Sequence, residues 1–261
     1  MDDRGGVTCF RLIGMKNAPK LEFVEAFRSD DLVGARGMAH HPSGKYVFAA
    51  CKTANTLVAL RRDSLSGKLK IVDVVRDEMD GVKGLHSAFG VTISNDGKLV
   101  YTVSGQHGGG QDNSVGVFQF DSEKGKLSRV QEVLPREIRL DGKRSPFNGG
   151  NEITLDPAQR KVYASATGSS SLAVFDRDVQ TGKVSLVQLI ADRESLGWVS
   201  GLAVSPDGRF VYAAAERLDA ISVFGPASLA KKAKPLLIPD DVERGLRIDA
   251  EERKRRFTDL R

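Results

Sequence analysis

An all-β chain, built as a β-propeller of four-stranded antiparallel blades, is what the sequence predicts. Three observations carry this: one segment occurs in four copies, a second apolar run follows each copy, and tight turns punctuate both. The segment Gly37-Met-Ala-His-His-Pro-Ser-Gly-Lys-Tyr-Val-Phe48 returns as Gly90-Val-Thr-Ile-Ser-Asn-Asp-Gly-Lys-Leu-Val-Tyr101 and as Gly201-Leu-Ala-Val-Ser-Pro-Asp-Gly-Arg-Phe-Val-Tyr212, with a degenerate copy, Glu152-Ile-Thr-Leu-Asp-Pro-Ala-Gln-Arg-Lys-Val-Tyr163. The aromatic ends Phe48, Tyr101, Tyr163 and Tyr212 lie 53, 62 and 49 residues apart. That spacing accommodates four short strands per unit.

The elements follow in order. Within each copy a Pro-Ser-Gly, Asn-Asp-Gly or Pro-Asp-Gly turn joins a first strand to a second, since glycine and the short polar residues suit a tight hairpin. Third strands are Thr56-Leu-Val-Ala-Leu60, Ser114-Val-Gly-Val-Phe118, Ser171-Leu-Ala-Val-Phe175 and Ala220-Ile-Ser-Val-Phe224. Their β-branched and aromatic content fits a pleated, half-buried surface. Fourth strands begin at Gly67-Lys68, Gly125-Lys126 and Gly182-Lys183. The links 63–68, 121–126 and 176–183 carry an acid ahead of each turn (Asp63, Asp121, Asp176), expected to accept backbone N–H bonds. Complete units cover about 34–79, 87–138 and 149–193, and a last one supplies three strands ending near Phe224.

Before the first complete unit, residues 7–11 and 21–27 match third and fourth strands. This makes four to five blade equivalents, leaving a closed small ring and an open arc as alternatives. Closure would place residues 21–27 beside the final sheet, past 220–224, within one chain or between two copies. Unpaired edges otherwise invite self-association through blade edges. The repeat region spans 1–226. In the basic tail, 227–261, the run Asp249-Ala-Glu-Glu-Arg-Lys-Arg-Arg-Phe257 places acids before bases and predicts a short C-terminal helix.

Composition narrows the function classes. The 261 residues are 40% hydrophobic and 28% charged, as in a globular protein. Lys and Arg total 39 against 34 Asp and Glu, but the surplus gathers beyond residue 230, and the body is close to neutral. A specific nucleic-acid partner is therefore not expected. No apolar stretch is long enough for a membrane helix, and Met1-Asp-Asp-Arg-Gly-Gly6 has no signal-peptide pattern, so the expected location is cytoplasmic and away from membranes, or extracellular or at the cell surface if the sequence is truncated at its N-terminus. Cys9 and Cys51 have no neighbours at metal-ligand spacing and read as small buried hydrophobes; neither a metal nor a cofactor is expected.

The combination Ser-Pro-Asp-Gly-Arg-Phe-Val-Tyr212, Ile221-Ser-Val-Phe224 and Thr181-Gly-Lys183 resembles the lactonase-like β-propellers, over roughly residues 7–224. That group includes bacterial 6-phosphogluconolactonases and fungal carboxymuconate-lactonizing enzymes. The resemblance implies site positions residue by residue. Arg36 matches the arginine of a Gly-Pro-Arg-His stretch, with Gly37 in place of the histidine. Glu216, in Ala215-Glu-Arg-Leu218, matches a glutamate after a second strand. Asn151-Glu-Ile153 matches an Ala-Glu-Ile stretch ahead of an inner strand. These matches fall in different blades.

The residues support a compatible reading by themselves. Links between blades, and between second and third strands, share one face and vary in length, as binding loops on a rigid scaffold do. Glu152 stands where the other copies have Gly37, Gly90 and Gly201. A lactone hydrolase needs a base to activate water and a cation or donors for the oxyanion. Glu152 is the candidate base and Arg36 the oxyanion partner, with Glu216 and His86 as further catalytic candidates. Lys52, His107, Asn151, Trp198 and Arg217 are candidate ligand-binding groups on the same face. The reading placed first is a scaffold binding a protein or a small sugar-acid lactone-like ligand through that face. The alternative is a lactone hydrolase of the 6-phosphogluconolactonase kind, or a lactonizing enzyme.

Overall fold

Each repeat copy folds into the first two strands of a sheet, and each following run into the third and fourth. The computed structural model describes residues 5–14, 18–105, 113–135, 138–140, 143–144 and 146–225. A two-stranded sheet comes first, β1 (Gly5–Ile13) with β2 (Lys20–Ser29). The first complete blade holds β3 (Ala35–His40), β4 (Tyr46–Cys51), β5 (Thr56–Arg62) and β6 (Leu69–Arg76). The second holds β7 (Ala88–Ile93), β8 (Leu99–Ser104), β9 (Val115–Asp121) and β10 (Lys126–Val133). After a minimal hairpin, β11 (Arg139–Leu140) and β12 (Lys143–Arg144), the third holds β13 (Gly150–Leu155), β14 (Lys161–Ala166), β15 (Ser171–Arg177) and β16 (Val184–Ala191). The last sheet has β17 (Val199–Val204), β18 (Val211–Ala215) and β19 (Ala220–Phe224). All pairings are antiparallel and sequential within each sheet, and the inner strands β3, β7, β13 and β17 pack side by side. The chain divides into two units, Met1–Phe224 and Gly225–Arg261, and the propeller is the first. The expected C-terminal helix lies outside the described residues.

The core is a series of layers between consecutive sheets. Phe48, Leu57 and Ala59 of the first blade meet Val100, Phe118 and Phe120 of the second. Tyr101 and Val117 of the second meet Ile153 and Phe175 of the third. Cys51 is buried in such a layer, with Cys9 packed against it, as small hydrophobes; burial pushes the Cys51 thiol up to about 11.

Polar ties register one blade on the next. Among the residues in left-handed backbone, two recur at equivalent places in every blade, one before the inner strand (Gly34, Ser87, Gly149, Trp198) and one before the third strand (Asn55, Asn113, Ser170, Asp219). The second kind reaches forward to the first kind in the next blade. Asn55 Oδ1 accepts the Ser87 N–H at 2.8 Å, Asn113 Oδ1 the Gly149 N–H at 2.6 Å, and Ser170 Oγ the Trp198 N–H at 3.3 Å. At the periphery Glu25 accepts the Leu69 N–H, Asp73 the Leu127 N–H, and Gln131 the Val184 N–H, each from the following blade. Asn, Asp and Ser tolerate the left-handed region and carry the acceptor.

The structure corrects two expectations. In the third blade the turn acid is Asp178, whose carboxylate accepts the N–H groups of Gln180 and Thr181, as Asp63 and Asp121 do in theirs. Asp176 instead forms an ion pair with Lys161, because β15 runs to Arg177 and Asp176 is still within the strand. Residues 21–27 pair with β1, Leu21 opposite Leu12 and Phe27 opposite Val7, and not with β19 in the same chain. Helical turns also occur within the propeller, as single 3-10 turns at Asp30–Leu32 and Glu216–Leu218.

One cross-strand pair is unusual. Thr102 lies opposite Gly116, at the register where the other blades place Ala49 with Val58, Ala164 with Ala173, and Ala213 with Ser222. A Cβ on Gly116 would lie 2.6 Å from Thr102 Oγ1, and that buried hydroxyl has no hydrogen-bond partner among the described residues.

Two stability outcomes follow. Asp178→Ala should lower the urea midpoint, since two turn N–H bonds are lost, while Asp176→Ala lowers it less because its ion pair is exposed. Urea denaturation of both variants measures the difference, and an equal loss would contradict the assignment. Thr102→Val keeps the side-chain size and removes an unsatisfied buried hydroxyl, so it should raise the urea midpoint, corresponding to a gain of up to about 1 kcal/mol in unfolding free energy.

Candidate functional site

Arg36, Asn151 and Glu152 lie where the inner strands β3 and β13 begin. The inner strand of every blade bulges there. Register shifts occur between Ala35 and Gly37, Ala88 and Gly90, Gly150 and Ile153, and Val199 and Gly201. The extra residue is Arg36, Phe89, Asn151 or Ser200, and a bulge re-aims the side chain that carries it. The repeat therefore sets Arg36, Phe89 and Asn151 in one column across three consecutive blades. The Arg36 guanidinium lies 5.4 Å from the Phe89 ring centroid, a cation–π contact that orients an otherwise exposed side chain. Phe89 is a site residue that reading the sequence missed. Its signal was available, since it occupies the position equivalent to Arg36 and Asn151.

The next column explains Glu152. A Cβ on Gly37 would lie 2.4 Å from the Phe89 carbonyl oxygen, and one on Gly90 2.6 Å from that of Asn151. Glycine is required at these two junctions because the next inner strand passes so close. Glu152 occupies the equivalent position facing β17. Its N–H donates to the Ser165 hydroxyl at 3.1 Å, and the Ile153 N–H donates to its Oε1 at 3.3 Å. Burial raises its carboxyl above the usual carboxylate range, only partly offset by the Ile153 hydrogen bond. A carboxylate in such a setting is a poised proton acceptor.

Asn151 is tied into the fold by its side chain. Its Nδ2 donates to Thr167 Oγ1, which donates to the Val199 carbonyl, each at 2.8 Å. His86 is half-buried in the link before β7, next to left-handed Ser87. Lys52 is half-buried just after β4, and its N–H bonds the Gly34 carbonyl. A separate group forms on the last sheet, where Arg217 stacks 3.8 Å from the Trp198 ring centroid and Glu216 is exposed beside it. Trp198 has φ 56°, at the position where the preceding blades have Gly34, Ser87 and Gly149. No ion pair joins Arg36 to Glu152 or Glu216 among the described residues. His107 lies outside the described residues. Among the described residues no cluster of three His, Cys, Asp or Glu is placed to hold a metal, and no helix is long and apolar enough to cross a membrane.

The sequence profile described as "Lactonase, 7-bladed beta-propeller" matches residues 4–141 and 109–228. The chain belongs to this lactonase family. Among curated relatives of this lactonase-family chain, the 6-phosphogluconolactonase of Bacillus subtilis (strain 168) is 25% identical over 154 residues, covering 59% of this chain and 40% of the relative. The 6-phosphogluconolactonase of Klebsiella pneumoniae (strain 342) is 27% identical over 191 residues, covering 71% and 50%. Among solved structures, the periplasmic gluconolactonase of Pseudomonas aeruginosa superposes with a TM-score of 0.58 at 20% identity, covering 76% of this chain and 50% of that one. That likeness shows the fold. The chain spans about half the length of the curated relatives it matches.

The raised carboxyl of Glu152 has a measurable consequence. A carboxyl whose folded-state pKa is raised favours folding while protonated, and that contribution is lost as pH climbs through the raised value. Glu152→Gln should therefore be more thermally stable than wild type near neutral pH. The gap should vanish below about pH 4, where a glutamate of ordinary pKa is protonated in either state. Melting curves across this range measure it, and a pH-independent gap would contradict the assignment.

Proposed function

We propose that this lactonase-family propeller hydrolyses sugar-acid lactones at the bulged start of its inner strands. The observation that carries the reading is Glu152, a partly desolvated carboxylate in a column otherwise held by glycine, one column from Arg36 and Asn151. Family membership and the relatives named 6-phosphogluconolactonase support the hydrolytic alternative over a purely binding scaffold. In the proposed step Glu152 takes a proton from water as the water oxygen bonds to the lactone carbonyl carbon. Arg36, steadied over Phe89, faces the developing oxyanion. Collapse of the tetrahedral intermediate breaks the ring C–O bond, and the Glu152 proton passes to the departing alkoxide, giving the hydroxy acid and restoring the carboxylate. Every bond and proton is accounted for without an added cofactor. In this reading Asn151 and His86 position the sugar hydroxyls. A cytoplasmic location suits such a substrate.

The test is pH-stat hydrolysis of glucono-lactone and its 6-phosphate, corrected for spontaneous opening. Wild type should exceed the background, with kcat/KM rising with pH through a pKa above the ordinary carboxylate range. Glu152→Gln should lose about 10²–10⁴-fold, as expected for a general base, and Arg36→Ala about 10²–10³-fold, as for an oxyanion donor. Wild-type rates equal to background would overturn the proposal.

A further inference from the structure

We propose that Trp198 and Arg217 form an oxyanion subsite, in which the indole steadies the guanidinium and a carboxylate or phosphate monoester of a small ligand accepts its N–H donors. Neither residue takes part in the step proposed at Glu152, so the subsite does not depend on that reading. Its origin is visible in the backbone. Trp198 has φ 56°, at a position held by Gly34, Ser87 and Gly149 in the preceding blades. Small residues serve there, so the packing of the repeat does not call for an indole. A bulky side chain in left-handed backbone is an outlier, and such outliers persist where the surroundings hold them and function uses them.

The facing position has changed with it. The second residue after the second strand is Thr53 in the first blade, Gly168 in the third and Arg217 in the last. In the first blade the two positions meet closely, since a Cβ on Gly34 would lie 2.4 Å from Thr53 Oγ1. In the last blade both are large, and the backbone holds them together. The Glu216 N–H donates to the Trp198 carbonyl at 3.4 Å, and the Arg217 N–H to the Gly197 carbonyl at 3.1 Å. Leu218 closes the same turn against Gly197, where a Cβ would lie 3.0 Å from its Cγ. The Trp198 N–H is held in turn by Ser170 Oγ of the preceding blade.

The guanidinium carbon lies 3.8 Å from the ring centroid, which is direct stacking on the indole. A stacked guanidinium keeps its N–H donors in its own plane, clear of the ring. Arg62, Arg76 and Arg177 direct theirs to Gly44, Asp31 and Gln159. Among the described residues no hydrogen bond or ion pair engages the Arg217 guanidinium. A planar fork fixed in place with its donors unengaged matches paired oxygens, the geometry of carboxylate and phosphate. Arg217 is exposed, and so are Thr53 and Gly168 in blades that another blade follows, so the exposure belongs to the position. Hydrogen bonds also connect the pair to the candidate site. Asn151 Nδ2 donates to Thr167 Oγ1, and Thr167 Oγ1 to the carbonyl of Val199, the residue after Trp198.

Trp198 is the sole tryptophan, so the intrinsic fluorescence of the full chain reports this subsite directly. Gluconate, glucose 6-phosphate and inorganic phosphate are titrated at constant ionic strength, with glucose as the neutral control. A saturable change in emission is expected with an anion and none with glucose; gluconate against glucose 6-phosphate tells a carboxylate from a phosphate source. None of these probes is a lactone, so the outcome is independent of whether Glu152 acts as a base. Arg217→Gln should abolish the saturable change, and Arg217→Lys, which keeps the charge without the fork, should weaken binding about tenfold. Trp198→Gly, followed by calorimetry, should weaken it as well, because the guanidinium loses its support. Arg217 is exposed, so its variants should fold as wild type does, and circular dichroism checks this. No saturable response to any of the three anions, an equal response to glucose, or an unchanged affinity in Arg217→Gln would each overturn the proposal.

Discussion

The fold depends on a short hydrogen bond that leaves one blade and ends on the next. Asn55, Asn113 and Ser170 sit in left-handed backbone ahead of a third strand, and each side-chain oxygen holds the N–H of the residue that turns the chain into the following inner strand. The apolar layers between sheets are slippery by nature, since area burial has no direction. Directional bonds at the loop-rich face, and those from Glu25, Asp73 and Gln131 at the periphery, convert stacked sheets into a registered array. The bulges of the inner strands are held at a fixed height by this registration, and the candidate site consists of those bulges.

Most of the architecture was legible because the repeat writes it four times, and four-strand units follow from spacing and turn chemistry alone. Asp63 and Asp121 were legible as turn acids. Asp178 was not, because two acids flank Arg177 and only the strand's length decides between them. The pairing of β2 was open in the sequence, since a fourth-strand pattern fits an edge whichever chain supplies it. For the site, Glu152 stood out as the one carboxylate in a glycine column. The repeat aligns Arg36, Phe89 and Asn151 in the sequence, but the bulge that re-aims them left no trace in the alternation of residues, so Phe89 was passed over. Trp198 and Arg217 were each noticed singly, but their stacking depends on a link and a turn that sequence distance separates.

Glu152 also shows why the candidate base stands in the third blade. Gly37 and Gly90 leave no space for a side chain, because a neighbouring carbonyl occupies it. Only where that crowding relaxes can the repeat carry a functional group at this height, and burial then raises the carboxyl toward the range in which it can exchange protons. Local stability is sacrificed at one junction, and chemistry becomes available there.

The small pair Thr102 and Gly116 constrains how such a chain can change over generations. Growth at Gly116 collides with Thr102 Oγ1, whereas loss of Thr102 alone opens a void beside a residue that has no side chain to fill it. The arrangement Ala49 with Val58 in the first blade is the same sheet position solved from the opposite side. Passage between the two solutions is ordered: the second-strand residue must shrink before the third-strand residue can grow. Divergence between blades at this position is therefore a matter of historical sequence as well as of fit, and the same substitution is neutral or ruinous depending on which came first.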